Sequence, residues 1–231
     1  MKMVHAWLGL FLVAAGVPAE GAGKPIENTD PRARPAVMAV PEKTKEQKAA
    51  QQFHDEALKA YGRGDLETAK LGFLKILVLS PENAPARINL ALVEQRERHY
   101  AAAEQHLRAV LKNDLENAAA WLLLGIGAYE QDKLDAAHAC LAQAVLFAPK
   151  DARAHHYLGI TCSRRAWYSA GEEELRRAVE LDPKLADAHY NLAVLYMERT
   201  PPATELAHRH YQLALDLGAA PDARLAQRLG N

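Results

Sequence analysis

Histidine is the residue type in this sequence with the greatest capacity for metal chemistry. Of the 10 histidines, His155 and His156 are adjacent, and His189 follows His155 at the same spacing at which His155 follows Trp121. A neutral imidazole binds transition metals well, so these three side chains are candidate ligands for a metal ion or a small molecule. His155 and His156 point to different faces of a helix, however, and the spacing supplies no further ligand. The favoured interpretation is structural: His155 and His189 replace the bulky residue that Trp121 provides earlier in the series.

Arrangements that support catalysis cannot be located in the sequence. It contains no recognisable Ser/His/Asp set, nucleotide-binding loop, paired-carboxylate cleft, CxxC motif or HExxH motif. The spacing of the residues therefore predicts no catalytic residues, no bound metal and no cofactor. Cys140 and Cys162 are interpreted as small buried hydrophobic residues, with a disulfide between them as the open alternative.

The segments that carry these residues repeat with a period of 34. Apolar stretches end in step at Pro81, Leu115, Pro149 and Pro183. A small residue lies twelve positions before each of these ends, and a bulky apolar residue lies four positions after the small one. The four small–bulky pairs are Ala69 with Phe73, Ala103 with Leu107, Ala137 with Leu141, and Gly171 with Leu175. This period is typical of stacked helix pairs.

The pattern resembles the tetratricopeptide repeat family, in a bacterial exported form. The segment Trp121-Leu122-Leu123-Leu124-Gly125 follows the family's W-x2-L-G motif. The resemblance implies an all-α fold, a right-handed α-solenoid of about five helix-turn-helix repeats with a C-terminal capping helix. Small residues at position 8 of each repeat should let its two helices approach closely: Ala57, Ala91, Gly125, Gly159 and Ala193.

The predicted repeat domain covers residues 44–217. Its repeats are 50–83, 84–117, 118–151, 152–185 and an irregular 186–219, whose turn is longer by two. Thr44 and Gln47 fit a helix-capping box at its start. Residues 220–231 are the predicted cap, in which Leu225 and Leu229 cover the last repeat while Asp222, Arg224 and Arg228 face water.

The N-terminal region predicts export. Lys2 precedes the apolar run 6–17, and Val17-Pro18-Ala19 presents small residues for cleavage after Ala19. A signal peptide at 1–19 followed by a disordered Pro/Ala-rich linker at 20–43 is the favoured interpretation, and a retained N-terminal anchor is the alternative. The expected location is the periplasm or the cell exterior, with no membrane span after cleavage.

The resemblance also implies a concave partner-binding groove formed by the first helix of each repeat. Its residues would be Leu58, Tyr61, Ile88, Leu92, Leu122, Ile126, Tyr129, His156, Ile160, Tyr190, Val194 and Met197. Burial of this apolar stripe between neighbouring helices is the alternative interpretation.

The predicted function is that of a non-catalytic protein–protein interaction scaffold. It would dock a peptide or helix of an exported partner, in the assembly of an envelope complex. The alternative is a small-ligand or metal-binding accessory of an envelope enzyme that uses His155, His156 and His189. A net charge of -1 gives no electrostatic reason to expect nucleic acid as a partner. The sequence identifies neither the partner nor the oligomeric state.

The signal prediction is tested by N-terminal sequencing of the protein purified from its native cells. We expect the mature chain to begin at Glu20, because signal peptidase reads the small residues before it. Full-length chain with Met1 in the cytoplasmic fraction would contradict this prediction.

Overall fold

The computed structural model describes residues 44–230, so the predicted signal peptide and linker lie outside the described residues. The described chain forms two compact units, 44–97 and 98–230. Unit 1 contains the helices α1 (Lys45–Gly62), α2 (Leu66–Leu79) and α3 (Ala84–Arg96). Unit 2 contains α4 (Tyr100–Asn113), α5 (Ala118–Glu130), α6 (Leu134–Phe147), α7 (Ala152–Arg164), α8 (Tyr168–Leu181), α9 (Ala186–Glu198), α10 (Thr204–Asp216) and α11 (Ala223–Leu229).

The helix boundaries follow the predicted period. The first helices of repeats 2–5 start at Ala84, Ala118, Ala152 and Ala186, so successive starts are separated by one full period of the sequence. The second helix of the fifth repeat starts at Thr204, two positions later than the step requires, as expected from its longer turn. Consecutive helices pack against each other within each unit, and every element of the described residues is a helix or a turn.

Side-chain caps mark the starts of these helices and recur with the period of the repeats. Asn83, Asn117 and Asp151 each accept a hydrogen bond from a backbone N–H in the first turn of α3, α5 and α7, at 2.9–3.1 Å. Such a cap satisfies an N–H that has no partner inside the helix. The predicted capping box is also present: Gln47 N donates to Thr44 Oγ1, and Thr44 N donates to Gln47 Oε1.

Small residues allow the two helices of a pair to touch at backbone distance. A Cβ atom on Gly159 of α7 would lie 2.7 Å from Leu175 Cγ and 3.1 Å from the Gly171 carbonyl oxygen. A Cβ on Gly125 of α5 would lie 2.5 Å from Leu141 Cγ. Because real Cβ atoms do not approach other atoms this closely, an alanine at either position would force the facing leucine side chain to shift.

The C-terminal helix α11 is tied to the last repeat by polar as well as apolar contacts. Leu225 and Leu229 are buried, as predicted. Asp222, which was expected to face water, is instead half-buried and accepts a 2.7 Å hydrogen bond from the Tyr190 hydroxyl. Arg228 is exposed, as expected, and it also donates to the Met197 carbonyl oxygen at 2.9 Å. These bonds explain how a helix of only two turns is held in place.

No helix within residues 44–230 has the length and apolar character needed to cross a membrane.

The turn between the helices of a pair uses the left-handed backbone region. Gly64, Arg98, Asp132 and Ala166 occupy the same repeat position, and their φ angles are 78°, 65°, 62° and 60°. A left-handed residue with a Cβ atom costs about 1–2 kcal/mol, and glycine avoids that cost.

Ala166→Gly should therefore raise the free energy of unfolding by about 0.5–1 kcal/mol, because the strain relieved exceeds the extra entropy of glycine in the unfolded chain. Ala170→Gly, at an exposed position inside α8, is the matched control and should lower it by about 1 kcal/mol. Urea titration measures both changes, and a loss of stability in Ala166→Gly would contradict the explanation.

Candidate functional site

The first helices of the repeats in unit 2 form one face. Helix α5 contacts α7, and α7 contacts α9, although another helix separates each pair in sequence. We call the surface formed by these three helices the A-helix face. It carries the predicted groove residues of unit 2: Leu122, Ile126, Tyr129, His156, Ile160, Tyr190, Val194 and Met197.

Most of these predicted residues are packed between helices. Ile126 and Ile160 are 3% and 6% exposed, and only Tyr190 and Val194 of the unit 2 set are half-buried. In unit 1, Leu58 is half-buried, and the other predicted residues are buried: Tyr61, Ile88 and Leu92. The part of the stripe that a partner could reach is therefore small. A role for these residues in docking stays a prediction.

The sequence analysis missed Tyr157, which lies on the same face of α7. Its ring meets the Tyr129 ring edge-on at 6.3 Å and lies 5.1 Å from the His156 ring. Burial raises the pKa of Tyr157, and the nearby carboxylates of Glu130 and Asp187 raise it further. Partial desolvation also raises the pKa of Asp187, although the residue as a whole is exposed. The sequence signal that could have revealed this aromatic cluster is the aromatic residue at position 6 of the fourth repeat, which is Tyr157 itself.

His156 links two neighbouring repeats. Its Nε2 accepts a 2.9 Å hydrogen bond from Asn191 Nδ2 of α9. Burial lowers the pKa of His156 to about 4, so the ring is neutral and Nδ1 carries its proton at pH 7. His54 and Asn89 form the corresponding pair in unit 1, with 3.4 Å between the nitrogens. The sequence separation is 35 in both pairs, so this is a repeated link between successive repeats.

His155 and His189 each hydrogen-bond a backbone carbonyl of the turn that precedes their helix, and this interaction recurs between other repeats. His155 Nε2 and His189 Nε2 donate to the carbonyl oxygens of Pro149 and Pro183, both at 3.1 Å. Trp121 Nε1 donates in the same way to the Leu115 carbonyl at 2.8 Å. Arg87 Nε donates to the Pro81 carbonyl at 3.0 Å. One N–H donor thus satisfies the same turn carbonyl at four turns, which supports the interpretation that His155 and His189 replace a bulky residue.

The remaining nitrogens of these histidines are engaged within their own repeats. His155 Nδ1 lies 2.6 Å from a Glu174 oxygen, and this hydrogen bond raises the pKa of His155. His189 Nδ1 lies 2.9 Å from His210 Nδ1, so one of the two nitrogens must be unprotonated. Burial, followed by the charges of His189 and two arginines, lowers the pKa of His210 to about 4.

The metal-binding alternative gains no support from this geometry. Within the described residues, His155, His156 and His189 form no group of three ligand atoms close enough to share an ion. Each ring is held by a different partner: Glu174 with Pro149, Asn191, and His210 with Pro183.

Cys140 lies on α6 and Cys162 on α7, and both thiols are free in the structure. Burial raises the pKa of each thiol, which makes both poor nucleophiles at neutral pH.

Unit 1 exposes a separate apolar strip on α2, formed by Leu71, Leu74 and Val78. The same repeat positions on α4 carry Gln105, Arg108 and Lys112. The apolar strip is therefore a feature of the first repeat and not of the repeat pattern.

Comparisons with known proteins agree with this architecture. A family model described as a TPR repeat matches residues 173–199. No curated protein matches the sequence significantly. The solved structure of PilF from Pseudomonas aeruginosa is similar, with a TM-score of 0.72 and 24% identity over 81% of this chain and 85% of that chain.

Two further solved structures show the same likeness. YrrB, described as a TPR protein with an unusual peptide-binding site, has a TM-score of 0.57 and 24% identity over 80% of this chain and 94% of that chain. MamA from Desulfovibrio magneticus RS-1 has a TM-score of 0.61 and 21% identity over 73% of this chain and 94% of that chain. The predicted all-α class and the resemblance to tetratricopeptide repeat proteins are thus confirmed.

The buried neutral histidines predict acid sensitivity. A histidine whose pKa is lowered in the folded state loses stability as the pH falls below about 6.5, because the unfolded chain binds the proton more readily. His155 acts in the opposite direction over part of this range, because the stability from its raised pKa increases until the pH lies well below 6.5. The contribution of His156 is therefore isolated by comparison with a variant that lacks its imidazole. We expect the free energy of unfolding to fall by ~2 kcal/mol for His156 between pH 7 and pH 5.

Urea titrations at pH 7, 6 and 5 measure the effect. The His156→Gln variant should show a smaller fall than the wild type, because glutamine does not titrate. Equal falls in the two proteins would contradict the assignment of acid sensitivity to His156.

Proposed function

We propose that this protein is a non-catalytic scaffold that docks a peptide or helix of a partner protein on the A-helix face of unit 2. Proteins of this fold are in general interaction scaffolds, and YrrB is described as having a peptide-binding site. The carrying observation is that α5, α7 and α9 join into one face on which aromatic and polar groups stay accessible beside a packed apolar floor.

The accessible groups are of the kind that anchor partners. Tyr157, Tyr190 and Val194 are half-buried, so a partner could bury their remaining surface without unfolding the repeats. Rigid aromatic side chains supply a large contact area at a small entropic cost, and a few such central groups carry most of the energy of an interface. The floor beneath them, at Ile126 and Ile160, holds the helices in position.

The partner is proposed to be an exported protein, and the setting to be the assembly of an envelope complex. This part of the proposal depends on the predicted signal peptide at residues 1–19. His155 and His189, which the alternative function would use as ligands, donate ring N–H groups to backbone carbonyls between repeats.

The proposal is tested by introducing a negative charge on the accessible part of the A-helix face. Val194→Asp should weaken capture of the native partner by at least about tenfold, which corresponds to about 1.4 kcal/mol, because a carboxylate would be desolvated in the interface. Leu146→Asp is the matched control, since Leu146 lies on the second helix of its repeat and is 65% exposed. The measurement is photo-crosslinking in native cells from a probe at Tyr157, with circular dichroism as the check of folding. Equal capture by both folded variants would overturn the proposal.

Substitutions in the floor should behave differently. The double variant Ile126→Asp with Ile160→Asp places two charges at nearly buried positions, so we expect loss of the helical circular dichroism signal instead of a selective loss of binding. A folded double variant would contradict the burial of these side chains.

A further inference from the structure

We propose that the fifth repeat contains an acid-released latch: when the hydrogen-bonded pair His189–His210 must accept a second proton, α10 separates from α9, while the equivalent pair of the fourth repeat stays bonded. We call the pair His189–His210 the latch. This inference goes beyond the proposed docking function, because it concerns the opening of the fifth repeat and requires no partner.

The latch joins the two helices of the fifth repeat by one hydrogen bond between imidazole rings. His189 Nδ1 of α9 lies 2.9 Å from His210 Nδ1 of α10, and the two ring planes are inclined by 26°. His189 Nε2 carries a proton, because it donates to the Pro183 carbonyl oxygen at 3.1 Å. In the neutral ring His189 Nδ1 is therefore the acceptor, and His210 Nδ1 is the donor.

This arrangement limits the number of protons that the latch can bind. A first added proton goes to His210 Nε2 and leaves the N–H···N bond in place. A second added proton must go to His189 Nδ1, where it removes the acceptor and places two positively charged rings side by side. The bond is then lost and the rings repel each other. The closed latch therefore binds at most one added proton, whereas the open chain binds two.

The surroundings of the latch oppose even the first added proton. Burial lowers the pKa of His210 to about 4, and nearby positive groups contribute to this shift. These groups are His189, Arg209 and Arg176. The Tyr196 ring lies 5.7 Å from the His210 ring, and its hydroxyl donates to Glu172 at 3.3 Å. Because Glu172 also pairs with Arg199 at 3.2 Å, its negative charge is already shared with another cation.

The fourth repeat has a different pair at the same positions. His155 corresponds to His189, and Glu174 corresponds to His210, since the sequence separations within the two pairs, 19 and 21, differ by the two extra residues of the fifth repeat's turn. His155 Nδ1 lies 2.6 Å from a Glu174 oxygen, and Nε2 donates to the Pro149 carbonyl. A protonated His155 keeps both bonds and gains the attraction of the carboxylate, which raises its pKa. Acid therefore strengthens this pair and weakens the latch.

The latch also controls how the capping helix α11 is held. Tyr211 of α10 bonds the backbone of Asp222 twice: its hydroxyl accepts from the Asp222 N–H at 2.8 Å and donates to the Asp222 carbonyl oxygen at 3.1 Å. The Asp222 carboxylate in turn accepts from the Tyr190 hydroxyl of α9 at 2.7 Å. Separation of α10 from α9 therefore pulls apart the two tyrosines that hold Asp222, and the cap is released with α10.

The test is amide hydrogen exchange of the full chain at pH 7, 6 and 5, with labelling times scaled to the intrinsic exchange rate at each pH. Between pH 7 and pH 5 the protection of α10 should fall at least about tenfold more than the protection of α8. Each proton that only the open chain binds shifts the opening equilibrium about tenfold per pH unit below about 6.5.

Substitutions exchange the pairs of the two repeats. His210→Glu gives the fifth repeat the pair of the fourth, so the protection of α10 should no longer fall relative to that of α8. Glu174→His should make α8 lose protection in acid as α10 does. His210→Gln keeps a donor for His189 Nδ1 but does not titrate, so its α10 should show a smaller fall than the wild type. It provides a second measurement if the glutamate variant folds poorly.

His208→Glu is the matched control, because it makes the same substitution at an exposed position of the same helix. Its α10 should lose protection in acid as the wild type does, and circular dichroism at pH 7 checks the folding of each variant. Equal loss of protection in α8 and α10 of the wild type would overturn the latch, because the chain would then open as a whole. A full fall of α10 protection in the folded His210 variants would overturn it as well.

Discussion

The close approach of paired helices within a unit is the constraint on which the rest of the structure depends. At Gly159 the backbone of α7 comes so near α8 that a methyl group would meet the Gly171 carbonyl oxygen at 3.1 Å. This contact fixes which faces of the two helices meet, and it must recur once per repeat. This contact explains the regular period, because an insertion inside a helix would rotate the small residue out of the contact, whereas the two extra residues of the fifth repeat lie in the turn before α10.

A second constraint acts in the turns between repeats, where a backbone carbonyl needs a donor. Different side chains supply this donor in different repeats. Each one donates an N–H to the carbonyl six residues earlier in the chain: Arg87, Trp121, His155 and His189. The histidines attracted a metal-binding interpretation because residue type alone does not show what a side chain contacts. The structure assigns them to holding turns, as it assigns His156 to the link with Asn191 between repeats.

Once packing and turn hydrogen bonds are satisfied, few polar groups on the A-helix face remain without a partner in the described part of the chain. Polar groups without an internal partner can give a repeat protein its specificity for a ligand. The remaining polar groups are already engaged in hydrogen bonds and ion pairs within the protein. Arg164 and Glu198 are examples of groups already in use, since each forms an ion pair with another residue of this chain.

The sequence by itself determined the helices, their boundaries, the delayed start at Thr204 and the small residues of the helix contacts, because period and side-chain size are local properties that repeat along the chain. Only the tertiary structure decided that Ile126 and Ile160 are packed while Val194 stays accessible. Periodicity places all three on the same face and cannot measure how much of each the neighbouring helix covers. Likewise, only the fold brings the rings of Tyr129 and Tyr157 edge-on at 6.3 Å, since the two residues lie on different helices and their separation in sequence carries no signal of contact.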